Sequence, residues 1–180
     1  MDVLTRMLEH HLWLVGEIVD RTAVLDDAVL DRPITLSVEG IDESPTLRTL
    51  TTRLVGQLEM WVHALEGGTR MPPEGDTSPA GLRRRLADTG PRFRALVLGP
   101  VSEGRAGETF VDAVCDPPTT FTYAGVLAHV LTFAAVRRTL AIGALESAGV
   151  IDLGSGDPMQ FVGGAGPDAS TVRRSAASSA

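Results

Sequence analysis

The sequence predicts an all-α fold: a four-helix bundle with a long link before the last helix. Three observations carry this. Apolar residues recur at the helical period of about 3.6 residues in four separate stretches. Hydroxyl and carboxylate capping residues open those stretches, and glycines close most of them. Between them, no alternating run is long enough to build a sheet that buries a face.

The first stretch, residues 2–24, places Leu4, Met7, Leu8, His11, Leu14, Val15, Ile18 and Val19 on one stripe. His11 sits mid-stripe as an inward group, and a core histidine with one partner is the commonest role for such a residue. Adjacent helical residues point about 100° apart, so His10 and His11 do not chelate one ion. Trp13 falls roughly opposite the stripe, where a subunit contact or a covering loop would explain it. Residues 25–45 form a connection broken at Arg32–Pro33, rich in solvated acidic side chains.

The second helix spans residues 46–66, with Ser44 or Thr46 to cap it and Gly67–Gly68 to end it. Its stripe is Leu47, Leu50, Leu54, Leu58, Trp61 and Leu65. Gln57 borders the stripe, Arg53 precedes it by one turn, Gly56 permits close packing or the approach of a ligand, and His63 points outward. After a turn-rich loop, a third helix starts at Ser78–Pro79 and continues through Leu82, Leu86, Phe93 and Leu96. Gly90–Pro91 should kink or split it. Its arginines form a solvated face. Residues 99–121 are a link in which FVDAV is a short extended piece. Cys115 lies there with no base nearby in sequence to activate it, which suits a small buried residue.

The last helix, residues 122–149, is the longest apolar stretch. Thr120 or Thr122 caps it and Gly149 stops it. Val126, His129, Val130, Phe133, Val136, Arg137, Leu140 and Ala144 share a face, so His129 is expected inside and Arg137 near it. An inward arginine needs an acceptor, either a carboxylate of the chain or a ligand. A fixed aspartate or glutamate in that place would remove the main reason to expect an anionic ligand. The segment IDLGSGDPMQF should dock back on the helices. Residues 1–162 are thus expected as one bundle. Residues 163–180 are small and polar and are expected to be a disordered tail.

Composition narrows the function classes. A net charge of −7 argues against nucleic acid as a partner. All 16 basic residues are arginine, which removes Schiff-base lysine chemistry and the P-loop lysine. One cysteine cannot form an internal disulfide and fits a reducing compartment. With no signal-peptide core and no uncharged span of membrane length, the expectation is a soluble, cytoplasmic protein with no membrane partner.

The pieces HHLW, RLVGQLEMW and LAHVLTFAAVRR, in that order, resemble the DinB/YfiT-like superfamily of bacterial four-helix bundles, and DLGSGDPMQFV resembles the tail of its actinobacterial members. The resemblance covers most of residues 1–162. It implies kinship with mycothiol-dependent maleylpyruvate isomerase and the bacillithiol transferases. It also implies a divalent metal (zinc, nickel or iron) on three histidines, where it would lower the pKa of a thiol or water. Carried over position by position, those places hold Arg53, His129 and Phe133, with Val136 where relatives often have a further histidine. Only His129 matches. One imidazole does not hold such an ion, and Arg53 brings a fixed charge of the wrong sign. No cofactor is therefore assigned. A rebuilt site from His11, His129 and an acidic residue such as Glu17 is the alternative.

Three readings follow. The first is a thiol-dependent transferase or isomerase. The second is a metal-free pocket for a small, anionic molecule, with Arg53 and Arg137 pairing the charge, His11, Gln57 and His129 hydrogen-bonding, and Phe133 in the wall. The third is a non-catalytic bundle, a homodimer if Trp13 lies in an exposed apolar patch.

Overall fold

The computed structural model describes residues 2–36, 42 and 44–161. The expected tail, residues 163–180, lies outside them. The chain is mostly helical: α1 (Val3–Thr22), α2 (Asp27–Leu30), α3 (Leu47–Leu65), α4 (Pro79–Ser102), β1 (Thr109–Asp112), β2 (Thr119–Thr122), α5 (Tyr123–Ser147) and α6 (Pro158–Gln160). The long helices begin on side-chain caps. Asp2, Thr46, Ser78 and Thr122 each accept a backbone N–H from the first turn, which satisfies a donor the helix cannot.

Helix α3 packs on α4 and α5, and α1 packs on the same two, so the four long helices enclose a shared interior. One end of that interior is built from Leu8, Leu54, Leu58, Trp61, Phe93 and Val130. The other holds Ile18, Leu47, Leu50, Leu140, Leu145 and Leu153. Most of these side chains are fully enclosed, and each contributes about 1.5–3 kcal/mol relative to exposure.

An all-α description needs correcting, because β1 and β2 pair as an antiparallel ribbon with Phe110 opposite Phe121. Threonine, valine and phenylalanine favour the extended form here, but four residues per strand are too few to show an alternating pattern. A two-stranded ribbon is marginal alone. This one rests its aromatic face on Trp61, whose ring meets Phe121 edge-on at 5.5 Å.

Helix α4 is not split at Pro91 but runs unbroken through Pro91 and Pro100. Pro91 and Ala87, four residues back, both lie on the exposed face, where water can take the carbonyl that proline leaves unbonded. Helix α5 is long and apolar enough to cross a membrane by length and composition. Its packing against α1, α3 and α4 is compatible with a soluble protein.

The segment after α5 folds back. Leu153 and Phe161 are buried, and the Gly156 carbonyl accepts from the His10 ring at 2.9 Å. Trp13 is half-buried rather than outward, packed against Phe161 at 5.3 Å and His10 at 5.8 Å. The segment that covers Trp13 belongs to the same chain, so the reason to expect a dimer through that residue falls. His63 likewise is half-buried at the end of α3.

Candidate functional site

Helical spacing builds the site. Arg53 and Gln57 stand one turn apart on α3, and His129, Phe133 and Arg137 stand one turn apart in succession on α5. Where the two helices face each other, these five side chains line a pocket of about 490 Å³, closed on one side by Met71, Pro72 and Pro73. That volume is within the range of about 300–1,000 Å³ usual for small-ligand sites.

At its inner wall, Gln57 Nε2 lies 3.1 Å from His129 Nε2. With the amide nitrogen as donor, His129 Nε2 accepts and the ring proton sits on Nδ1. The imidazole stacks on Phe133 at 4.6 Å and meets Trp61 edge-on at 5.7 Å. Burial first, then the positive charge of Arg137, holds the His129 pKa below the ordinary histidine value. The ring is therefore neutral at physiological pH. His129 is half-buried and Phe133 is 39 % exposed, so this face of α5 is a pocket wall rather than the closed interior expected of it. Three polar atoms behind the wall have no partner among the described residues: Gln57 Oε1, Thr52 Oγ1 and Trp61 Nε1.

The acceptor that Arg137 required is Asp42. Its side chain is fully enclosed. It accepts from Arg137 Nε through Oδ2 at 3.0 Å and from Arg53 Nη1 through Oδ1. The partner is thus a fixed aspartate, and the main reason to expect an anionic ligand at Arg53 and Arg137 is removed. Arg85, on another wall, is held in a two-pronged pair with Glu59 at 2.8 and 2.6 Å, which raises its pKa. All three arginines of this pocket have acidic partners within the chain.

Asp42 is the residue sequence reasoning missed. It sits in the acidic connection GIDESP and looks like any solvated carboxylate there. The one signal was indirect: an inward arginine on α5 implied a carboxylate without saying which.

His11 is not part of this pocket. It is fully buried on α1, where its Nδ1 accepts from Arg138 Nη1 and its Nε2 has no partner among the described residues. Burial, then the charge of Arg138, pushes its pKa down to about 3. Glu17 is taken by Arg21 at 2.8 Å. The rebuilt set of His11, His129 and Glu17 is accordingly corrected: among the described residues, no three His, Cys, Asp or Glu side chains come together to hold an ion. The residues at the positions that the DinB-like resemblance would make ligands do not fit a metal either. Arg53 and Phe133 supply no lone pair, and the one imidazole present spends its Nε2 on Gln57. No step through a metal is derived. Cys115 donates its thiol to Asp112 Oδ2 at 3.3 Å, and this bond, with burial, raises its pKa, the opposite of an activated nucleophile.

No family model, curated protein or solved structure matches this chain. The fold and pocket define a mostly helical protein with a small-molecule-sized cleft. The resemblance to DinB-like proteins rests on the sequence motifs alone.

Proposed function

We propose that the chain is a DinB-like four-helix bundle that has given up the superfamily's metal and binds a small organic molecule in the cleft between α3 and α5. The observation that carries this reading is the Gln57–His129 pair, set 3.1 Å apart in the wall of a pocket that also carries Met60, Met71, Pro72, Pro73 and Phe133 beside its charged residues. Apolar walls with a few fixed polar groups are the usual make-up of a ligand site. Because the pocket's arginines are paired internally, the favoured ligand is neutral: a compact ring that stacks beside Phe133 and exchanges one hydrogen bond with Gln57 or His129. The single cysteine supports a reducing, cytoplasmic setting.

Two measurements test it together. Elemental analysis of the dialysed protein is expected to find well under one transition metal per chain. A nuclear magnetic resonance titration with benzamide, a neutral ring carrying one amide, is expected to shift the His129 and Phe133 ring signals saturably, and Gln57→Leu is expected to weaken this. One metal per chain, lost in His129→Ala, would overturn the metal-free reading. Benzamide leaving both rings unmoved would overturn the ligand class.

A further inference from the structure

A second cavity, of about 630 Å³, lies on the opposite side of α5, between α1 and the segment that folds back after α5. Its walls are apolar, with Met7, Leu131, Ile142 and Met159 among them, and two arginines, Arg6 and Arg138, open into it. Those two differ from most arginines in the chain. Ten others are ion-paired with Asp or Glu. Among the described residues, neither Arg6 nor Arg138 meets a carboxylate. The one acidic residue in the wall, Asp2, is spent on capping α1 through Thr5.

Arg138 is the deeper of the pair. Its Nη1 donates to Nδ1 of His11, which is fully buried, and burial brings its pKa down to about 10. His11 is neutral, so it takes a hydrogen bond but supplies no counter-charge. A guanidinium held away from water without an anion is unfavourable unless something supplies one. Nη2 and Nε of a guanidinium form the fork that suits a carboxylate. Arg6, over the Phe161 ring at 5.3 Å, stands by as a second positive charge. Around this centre the surface is greasy: Met7 is 47 % and Met159 71 % exposed.

We infer that this cavity is a binding site for a monocarboxylate with an apolar tail, the carboxylate paired with Arg138 and Arg6 and the tail laid against Met7, Leu131, Ile142 and Met159. One deep guanidinium matches one carboxylate, and the apolar walls disfavour a multiply charged headgroup. The site is separate from the α3–α5 cleft and does not depend on how that cleft is used.

The test is calorimetric titration of the full chain with decanoate below its micelle concentration, with acetate and decanol as partial probes. Saturable one-to-one binding of decanoate is expected. Acetate, which lacks the tail, decanol, which lacks the charge, and Arg138→Met should each bind weaker by about tenfold or more, as loss of the buried tail or of a charged hydrogen-bonding partner implies. Arg138→Met alters a buried contact, so Ala135→Phe serves as a second variant: it fills the cavity from α5, leaves Arg138 in place and should abolish binding. Arg94→Met removes a surface charge elsewhere and should leave affinity unchanged. No saturable binding, equal binding of decanol, or undiminished binding by folded Arg138→Met or Ala135→Phe would each overturn the assignment.

Discussion

Arg137 Nε on α5 lies 3.0 Å from Oδ2 of Asp42, a carboxylate that also accepts from Arg53 on α3. One aspartate thereby ties the α2–α3 connection to two of the long helices. The two arms differ in weight. Arg53 is 46 % exposed, so its pair is screened and adds little. Arg137 is 13 % exposed, so its pair with the enclosed Asp42 is the better shielded of the two. Asp42→Asn keeps the shape and removes the charge. It is expected to lower unfolding free energy by about 1–3 kcal/mol in urea denaturation, as weakened charge-assisted hydrogen bonds imply. In an Arg137→Met background the same change should cost less, because the shielded arm of the pair is already gone. Wild-type stability in Asp42→Asn would mean the aspartate does not anchor α5.

Acid should weaken the fold through His11. Its folded pKa of about 3 lies below the ordinary 6.5, because burial and Arg138 oppose a second positive charge. The unfolded chain therefore binds a proton that the folded chain refuses. Stability is full above 6.5 and is lost progressively as pH falls from there toward about 3. The His11 share between about pH 7 and 5 is on the order of 2 kcal/mol. His10 and His129, also lowered, act in the same direction. Denaturation curves across this range should be flatter for His11→Gln than for the natural chain. Parallel curves would show that His11 titrates normally.

Gln57 sets the electrical state of His129, with which it forms the 3.1 Å contact. In Gln57→Glu a carboxylate replaces the amide at that distance and favours the imidazolium. The His129 pKa, followed by its ring proton signals, should rise by about one unit or more. The stack on Phe133 needs no change for this to happen. An unmoved titration would mean that residue 57 does not face the ring in solution.

Much of this was legible in the sequence for physical reasons. The stripes of α1 and α3 and the caps at Thr46, Ser78 and Thr122 are local, since periodicity and capping act within a few residues. The spacing of Arg53 and Gln57, and of His129, Phe133 and Arg137, is likewise local. What joins them is not. Asp42 and Arg137 are far apart in the chain, and neither residue type signals the other. The ribbon was hidden because its strands are short and its stability comes from Trp61. Helix α5 misled differently. It buries Leu127, Leu131 and Ala141 as well as Val126 and Val130, so the face carrying His129 and Phe133 was free to become a pocket wall.

The segment folded back after α5 is held by a carbonyl that only a particular backbone can present. Gly156 has φ +68°, in the left-handed region, and its carbonyl accepts from His10 at 2.9 Å. A Cβ there would lie 2.8 Å from Leu14 Cδ2 and 2.9 Å from Ile142 Cδ1. Both side chains are buried, at 2 % and 7 % exposure, and have little room to retreat. Gly156→Ala thus meets two penalties, a disfavoured dihedral and an overpacked contact, together about 1–3 kcal/mol. The expected result is a lower melting temperature and faster proteolytic cutting between Ile151 and Phe161, with the long helices still formed by circular dichroism. His10→Ala, which removes the bond but not the packing, should loosen the same segment less. If Gly156→Ala melts like the natural chain with the segment still protected, the fold-back is held by Phe161 and Trp13 alone.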